Sequence, residues 1–251
     1  MDGLSDDLLL LTIVCSRGRV GRVYTIGYAL MAAELIRLAA RERIEICGDQ
    51  IVVTSAEPTG DAALDAALVS VAECSSPPRP EEWVARPRLR IHGGYLERLA
   101  AAGVVRAQTR FSARRWRVSD ASRLAEARQR LDLIAGSAGA VALEQAAYAG
   151  LACVIDLDRR LYRGRARRAE RDRLREIAGA GRPAGLEADS DAAGGPEALA
   201  AWAGSADPVQ ARLSAATQAA LDAATRAAAR AAASGVARAT ARDSSLWYAG
   251  G

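Results

Sequence analysis

Arginine is the residue type through which this chain is best equipped to bind a ligand. All 34 of its Lys+Arg residues are Arg, and with 30 Asp+Glu residues the formal net charge is +4 at pH 7. The planar guanidinium group of Arg grips phosphate through parallel N–H groups, so clustered arginines favour anionic ligands. Abundant Arg, Ala and Gly are also typical of a GC-rich genome, and the charge total alone therefore decides nothing.

The densest basic segment is predicted to be a β-hairpin. A short helix is expected to end before Val104-Val105, which begins a strand, and a turn is expected near Ser112-Ala113. Basic and aromatic side chains are interspersed along this hairpin: Arg106, Arg110, Phe111, Arg114, Arg115, Trp116 and Arg117. A helix that precedes a basic hairpin is also typical of winged-helix DNA-binding proteins, so residues 95–118 support nucleic-acid binding as an alternative function.

Two further basic segments have less specific signatures. The glycine-rich loop at residues 16–25, SRGRVGRVYT, could cradle a phosphate, but it lacks both GxGxxG and the Lys-Ser/Thr of a P-loop. We interpret it as a surface loop that can bind anions. The basic run at residues 159–175 contains Glu170 and Asp172, and the interpretation that we favour is an exposed helix face with ion pairs at i, i+4 spacing.

The sequence gives little support for a catalytic or a metal-binding function. The only histidine, His92, has no Asp/Ser partner pattern, and neither paired acids nor a nucleophile beside a base occur at useful spacing. The four cysteines form no CxxC pair and are far apart in the chain: Cys15, Cys47, Cys74 and Cys153. We therefore expect a protein that is not an enzyme and that holds no metal, disulfide framework or cofactor.

Residues 28–71 are predicted to form the structural centre of the chain. A segment of strong helix formers precedes two short alternating strands, which Gly48-Asp49 joins through a tight turn. Thr59 and Asp61 are suited to cap the start of a second helix. Apolar residues of that helix recur at the spacing of one buried face: Leu64, Ala67, Leu68 and Val71. The segment therefore predicts a helix, a β-hairpin, a loop and another helix.

The composition predicts a mostly α-helical fold. Aromatic residues are only 4% of the chain while hydrophobic residues are 50%, so the core is built largely from Ala, Leu and Val, which favours helices over a β-sandwich or barrel. The apolar segments at residues 8–14 and 141–155 are expected to be buried helices. We therefore expect a helical bundle core with small β-hairpins.

Changes in composition divide the chain into three parts. Residues 1–178 contain the predicted helical core, after which Gly, Ala, Pro and acidic residues predict a flexible linker at 179–208. Residues 209–251 are predicted to be an Ala-rich helix and a tail. The sparse Leu213 and Leu221 suggest that this helix has little to bury.

The N-terminus favours a cytoplasmic protein. Asp2, Asp6 and Asp7 place acid where a signal peptide has cationic residues, and the apolar run that follows is too short to span a bilayer. Ser5, followed by Asp6 and Asp7, instead predicts a capped helix start. We expect a cytoplasmic protein that is peripherally associated with the inner face of the membrane.

Four segments of the chain resemble the Golgi phosphoprotein 3 family. They are residues 4–11 (LSDDLLLL), 35–46 (LIRLAARERIEI), 56–67 (AEPTGDAALDAA) and 96–105 (LERLAAAGVV), in the order in which that family has them. PTGD followed by LDxAL is the most specific of them. The family consists of peripheral membrane proteins with many bacterial, especially actinobacterial, relatives.

The resemblance implies a mostly α-helical fold around a central helix bundle, with a projecting β-hairpin used for self-association and membrane contact. It also implies binding of phosphatidylinositol 4-phosphate in a shallow basic pocket and, in the eukaryotic members, retention of glycosyltransferases in the Golgi. On this basis the residues expected to contact the membrane or to mediate oligomerisation are Arg110, Phe111, Arg114, Arg115 and Trp116.

This chain departs from the family's lipid pocket. Where eukaryotic members have a tryptophan this chain has Arg22, and the pocket's first arginine falls at Met31. Two further arginines of the family fall near Leu89 and His92. Four neighbouring residues can supply the positive charge instead, and they are the predicted headgroup ligands: Arg22, Arg88, Arg90 and His92.

Three functions remain open from the sequence. We rank general association with anionic lipid first, because several surface arginines hold a protein at an acidic leaflet without stereospecific recognition. Phosphatidylinositol 4-phosphate is the specific ligand that this function would include. Nucleic-acid binding through residues 95–118 is the main alternative. A scaffold or adaptor without a lipid role, which forms oligomers or binds protein partners, is the other.

Overall fold

A computed structural model describes residues 3–20, 25–86, 91–110, 113–180 and 208–247, with side chains described except at 109, 110, 113, 114, 180, 208 and 232–247. Within these ranges the protein is mostly α-helical, as predicted. The helices are α1 (Leu4–Cys15), α2 (Ile26–Ala40), α3 (Ala62–Ala72), α4 (Pro80–Val84), α5 (Ile91–Ala101), α6 (Ala121–Ala135), α7 (Leu143–Val154), α8 (Leu157–Leu161), α9 (Arg168–Ala180) and α10 (Pro208–Trp247), and Arg165–Arg167 form a 3₁₀ helix. Two antiparallel hairpins pair β1 (Ile44–Cys47) with β2 (Gln50–Val53) and β3 (Val105–Arg110) with β4 (Ala113–Val118).

Helices α1 and α2 form the centre of the core, because both are apolar on nearly every side. In α1, Leu8, Leu9, Leu10 and Leu11 are at most 1% exposed. In α2, every residue except Tyr28 and Ala40 is buried. A helix that is hydrophobic all round must be surrounded by other elements. Helices α5, α6 and α7 pack around α1, and α3, α7 and α10 pack against α2.

The start of α1 differs from the prediction that Ser5 caps it. The helix begins at Leu4, its N-cap residue is Gly3 in the left-handed region, and no side chain caps it. Ser5 and Asp7 are buried in the first turn instead. Asp7 binds Arg130 of α6 at 2.8 Å, so tertiary packing and not capping decides where this carboxylate lies.

The segment predicted to be the structural centre has the expected order of elements. Gly48 adopts a φ of 64° in the turn between β1 and β2, which is the conformation that glycine makes accessible. Asp61 is the N-cap residue of α3, and its carboxylate accepts hydrogen bonds from the backbone N–H of Ala63 at 2.9 Å and of Leu64 at 3.4 Å. Thr59 donates its hydroxyl to Asp65 at 2.7 Å, which ties the loop to the first turn of the helix. The local signals of capping and turn geometry are therefore confirmed.

The C-terminal helix α10 packs on the core, and the expectation that it has little to bury is wrong. Its buried residues are mostly alanines on one face: Ala216, Thr217, Ala220, Leu221, Ala223, Ala224 and Ala227. Leu221 fills the space beside Gly150 of α7, where an added Cβ would lie 2.7 Å from a Leu221 methyl group. Small side chains let two helices approach closely, which compensates for the few large apolar residues. Residues 181–207 of the predicted linker lie outside the described residues.

Ion pairs attach α10 to the first half of the chain. Arg212 binds Glu45 of β1 at 2.6 Å, and Glu81 of α4 binds both Arg226 at 2.8 Å and Arg230 at 2.9 Å. These pairs flank the alanine face, so they restrict how α10 can slide or rotate on the core. Although α10 has 40 residues, neither it nor any other helix in the described ranges is apolar over enough length to cross a membrane.

Candidate anion-binding site

The loop after α1 is held against the second hairpin by Gly18. Arg17 and Gly18 adopt left-handed conformations, with φ of 54° and 81°. The Gly18 N–H donates to the Ile13 carbonyl at 2.7 Å, and the Gly18 carbonyl accepts from the Trp116 N–H at 3.0 Å. A Cβ at Gly18 would lie 2.4 Å from the Trp116 carbonyl oxygen, so only glycine permits this approach. Two segments that the sequence presents separately, the glycine-rich loop and the basic hairpin, thereby become one surface.

The register of the hairpin concentrates positive charge on one of its faces. Arg106 of β3 lies opposite Arg117 of β4, and Gln108 lies opposite Arg115. Residues directly opposite in an antiparallel pair project to the same face, and like charges in such positions destabilise the hairpin. This arrangement costs folding free energy unless an anion neutralises it.

A cavity of about 910 Å³ lies where the loop meets the hairpin. We call it the basic groove, and its lining residues are Ile13, Val14, Arg17, Gly18, Gln108, Arg115, Trp116, Arg117, Val118 and Leu124. Three of these described lining residues are arginines and none is acidic. The wall formed by Ile13, Val14 and Leu124 is apolar. The groove therefore combines cationic and aromatic groups with an apolar surface.

The arginines of the basic groove are not neutralised by any carboxylate in the described ranges. Within the described part of the chain, Arg17, Arg115 and Arg117 have no carboxylate partner, and the buried Nε of Arg115 has no hydrogen-bond acceptor. A buried donor without an acceptor costs about 1–3 kcal/mol, a cost that a bound anion would remove. Other arginines are paired: Arg37 binds Asp61 at 2.8 Å, and Arg128 binds Asp132 at 2.8 Å.

The charged cluster around the PTGD sequence contrasts with the basic groove because its charges compensate one another. Asp61 accepts from Arg37 at 2.8 Å and from Arg98 at 3.3 Å. Burial alone would raise the pKa of Asp61, but the hydrogen bond and charge of Arg37 outweigh it, so that the pKa lies below its ordinary value. Arg41 donates to the Thr59 carbonyl at 3.0 Å. This cluster stabilises the start of α3, which agrees with the structural role that the sequence suggests for it.

Of the predicted site residues whose side chains the structure describes, Arg115 and Trp116 line the basic groove. Four of the predicted site residues lie outside the described residues: Arg22, Arg88, Arg90 and Phe111. For two more, Arg110 and Arg114, the backbone is described but the side chain is not. His92 is half-buried in α5 and does not line the groove. Burial lowers the pKa of His92, so this imidazole is neutral at pH 7.

Sequence reasoning omitted Arg17 and Arg117 from the predicted site, although both belong to segments that it identified as basic. The missing information was the close approach of Gly18 to Trp116, which no local pattern encodes. Met31, where the resemblance places the first ligand arginine of the family, is 1% exposed inside α2. That position contributes to the core in this chain and presents no group to a ligand.

The fold and the basic groove define a mostly α-helical protein with a cationic surface site between a glycine loop and a β-hairpin. A model of the Golgi phosphoprotein 3 (GPP34) family matches residues 4–242, which is nearly the whole chain and includes most of α10. The chain belongs to this family, as its four sequence segments predict. A comparison with curated proteins found no match.

Proposed function

We propose that this protein associates peripherally with anionic membrane lipid through the basic groove. The observation that carries the proposal is the set Arg17, Arg115 and Arg117, which surrounds one cavity without a carboxylate partner in the described part of the chain. Each arginine near an acidic leaflet contributes about 1 kcal/mol, so three contribute on the order of a hundredfold in partitioning. Membership of the Golgi phosphoprotein 3 family supports the same proposal.

The groove suits a lipid better than a free anion because its charge lies beside apolar surface. Val14 and Trp116 both line the groove; Val14 is 48% exposed, and Trp116 is half-buried and packs against the core. Tryptophan is enriched at membrane interfaces, where its ring contacts acyl chains and its N–H reaches water. An acidic headgroup on Arg115 and Arg117 would therefore place its glycerol and chains near an apolar wall.

Phosphatidylinositol 4-phosphate is the specific ligand to test first, because its monoester phosphate can accept two N–H groups from one guanidinium. We rank general anionic-lipid association above this selectivity. The protein acts in this proposal by binding and not by catalysis, since the described lining of the groove contains no acid, histidine or thiol. The site of action is the inner face of the membrane.

The test is sedimentation with lipid vesicles that are neutral, that contain phosphatidylserine, or that contain phosphatidylinositol 4-phosphate at the same total charge. We expect binding to both acidic vesicles and its loss as ionic strength rises from about 0.1 M to about 1 M, since the Debye length falls from roughly 10 Å to 3 Å. Arg115→Glu with Arg117→Glu should abolish binding. Equal, trivial sedimentation of the native protein with neutral and acidic vesicles at low salt refutes the proposal.

A matched control separates the groove from the total charge. Arg79→Glu with Arg230→Glu lowers the formal net charge from +4 to 0, as the groove variant does. Arg79 and Arg230 are exposed and pair with Asp49 and Glu81, at 2.8 and 2.9 Å. The control should retain most of the binding, and its thermal unfolding is measured alongside because Arg230 also attaches α10 to the core through Glu81. Stronger binding to phosphatidylinositol 4-phosphate than to phosphatidylserine at equal charge would establish headgroup selectivity.

Nucleic-acid binding has weaker support, although α5 does precede the basic hairpin. The exposed side chains of α5 include Glu97 and Arg98, and Arg98 is already paired with Asp6 and Asp61. A recognition helix needs free polar side chains for base edges, and these positions do not provide them. An electrophoretic mobility shift at low ionic strength with duplex DNA checks this alternative.

A further inference from the structure

A second group of arginines without a carboxylate partner among the described residues lies on and just after α8. We call it the α8 cluster, and it consists of Arg159, Arg160, Arg163 and Arg165. Arg160 is half-buried and the other three are exposed. None of the four side chains forms an ion pair with a described carboxylate. The sequence-based interpretation of residues 159–175 as an ion-paired helix face therefore does not hold for this part of the run.

In the second part of the same basic run, residues 167–175, arginines form ion pairs with carboxylates. Arg167 binds Glu170 at 2.7 Å, and Arg168 binds Asp172 at 3.2 Å, at the i, i+3 and i, i+4 spacings of one helix. Arg175 binds Asp158 at 2.8 Å. These arginines follow the prediction of a self-neutralised helix face. The α8 cluster is thus distinct from its neighbours in the same run.

The α8 cluster lies beside the C-terminal turn of α1, whose other side borders the basic groove. Helix α1 packs against both α8 and β4. Burial raises the pKa of the Cys15 thiol, and Arg160 and Arg163 are near enough to oppose that rise by their charge. Val14, the preceding residue, lines the basic groove. The last turn of α1 therefore lies near both the basic groove and the α8 cluster.

The α8 cluster does not act as a side-chain cap for the C-terminus of α1. Backbone N–H groups of the loop already bind the last carbonyls of α1: Ser16 donates to Thr12 at 2.8 Å, and Gly18 donates to Ile13 at 2.7 Å. The Arg17 N–H donates to the Val14 carbonyl at 3.2 Å. Since these carbonyls are satisfied, no arginine side chain is needed as a C-terminal cap.

We propose that the α8 cluster is a second contact site for the same acidic bilayer, so that the protein binds two groups of headgroups on either side of the last turn of α1. This inference rests on the proposed function of the basic groove. A single headgroup in the groove cannot also reach the far side of α1, whereas a bilayer presents many negative charges over an extended plane. Val14, which is 48% exposed, lines the basic groove in the same turn of α1 that contains Cys15.

Two linked contacts change how the affinity for vesicles depends on the surface density of acidic lipid. The second contact becomes intramolecular once the first has formed, so affinity rises steeply with the surface density of acidic lipid. A protein with one contact site shows a shallower dependence. Loss of either site should therefore reduce the affinity at a high density of acidic lipid. It should also make affinity rise less steeply with that density.

The experiment compares the full-length protein with Arg163→Glu plus Arg165→Glu, two exposed residues whose side chains make no described contact that holds the fold. Vesicles of phosphatidylcholine with increasing phosphatidylserine are titrated, and sedimentation gives the partition coefficient at each density. We expect binding of the variant to be weaker on the order of tenfold to thirtyfold, with a shallower density dependence. The control Arg79→Glu plus Arg230→Glu carries the same net charge of 0 and should retain the native steepness.

The outcomes separate this inference from the proposed function. If the α8 variant binds like the control while Arg115→Glu plus Arg117→Glu does not bind, the groove functions alone and the second contact is refuted. If the native protein fails to bind acidic vesicles at all, the proposed function fails with it. If the α8 variant loses affinity and steepness although its thermal unfolding is unchanged, the second contact is supported.

Discussion

The Gly18 carbonyl accepts a hydrogen bond from the Trp116 N–H at 3.0 Å, and the two backbones are so close that Gly18 has no room for a Cβ. This contact holds the loop after α1 against β4. It also places Arg17 on the cavity that Arg115 and Arg117 line. The proposed lipid site therefore depends on a glycine that carries no charge.

We predict that Gly18→Ala disrupts the basic groove. A Cβ would meet the Trp116 carbonyl oxygen at 2.4 Å, and alanine is also strained at a φ of 81°. We expect a loss of about 2–4 kcal/mol of unfolding free energy, measured by chemical denaturation, together with weaker vesicle binding. Gly60→Ala is the matched control, because Gly60 has a φ of 78° and nothing within 4 Å of an added Cβ. Equal destabilisation by both substitutions would show that the contact with Trp116 contributes nothing.

A second prediction concerns the like charges that face each other across the hairpin. Arg117→Glu places a carboxylate opposite Arg106 and converts a repulsive pair into an attractive one. We expect the unfolding free energy to rise by about 0.2–1 kcal/mol, while vesicle binding falls because the groove loses a cation. Arg117→Gln should give an intermediate result in both measurements. A variant that is both less stable and equally able to bind vesicles would contradict the role assigned to this arginine.

The third prediction is a dependence of stability on pH that originates at Asp7. Burial raises the pKa of Asp7 from 3.8 to about 6, and the charges of Arg130 and Arg123 only partly oppose this. Because the folded-state pKa is above the unfolded value, this group's stabilising contribution is complete below pH 3.8 and is lost as pH rises through 6. Asp7→Asn, which resembles the protonated acid, should therefore be more stable than the native protein at pH 7, by about 1–3 kcal/mol.

The measurement for Asp7 is denaturant unfolding of both proteins at pH 4, 5, 6 and 7. The difference in unfolding free energy should grow as the pH increases, because only the native protein must bury a charged carboxylate at high pH. The charged neighbours Asp6, Glu126, Arg123 and Arg130 are present in both proteins, so the difference reports on Asp7 and its interactions with them. Parallel pH profiles for the two proteins would overturn the prediction.

The fourth prediction tests the docking of α10 by a double-mutant cycle between Gly150 and Leu221. Leu221→Ala should cost about 2–5 kcal/mol, because it leaves a cavity against α7. Gly150→Ala should destabilise the native protein, since the added methyl group would lie 2.7 Å from a Leu221 methyl group. In the Leu221→Ala background the same substitution should be neutral or stabilising, because it fills part of the cavity. A coupling free energy near zero would mean that this contact does not hold α10 on the core.

Several local features follow directly from short stretches of sequence. Asp61 caps α3 as predicted and Asp120 caps α6, where its carboxylate accepts from the Ser122 N–H at 3.0 Å. Gly48 forms the turn of the first hairpin, and α6 ends at Gly136. Each of these features depends on residues within a few positions of one another, so the local sequence is enough to predict it.

Other predictions failed because tertiary packing overrode the local signal. Ser5 has the chemistry of an N-cap residue, yet it is buried because α1 lies in the centre of the bundle. The alanines of α10 have less apolar surface to bury than leucines would, but they pack on the core because Gly150 lets α10 approach α7 closely. A composition does not reveal which partner surface a segment will meet.

The sequence by itself determined the mostly helical fold, the family and the presence of three basic segments, since composition, periodicity and four short motifs are properties of the chain alone. Only the tertiary structure decided which arginines form a site. It placed Arg17 beside Arg115 and Arg117 through the contact of Gly18 with Trp116, and it placed Met31 in the core. The physical reason is that residues about a hundred positions apart acquire a common electrostatic environment only when packing brings their backbones together.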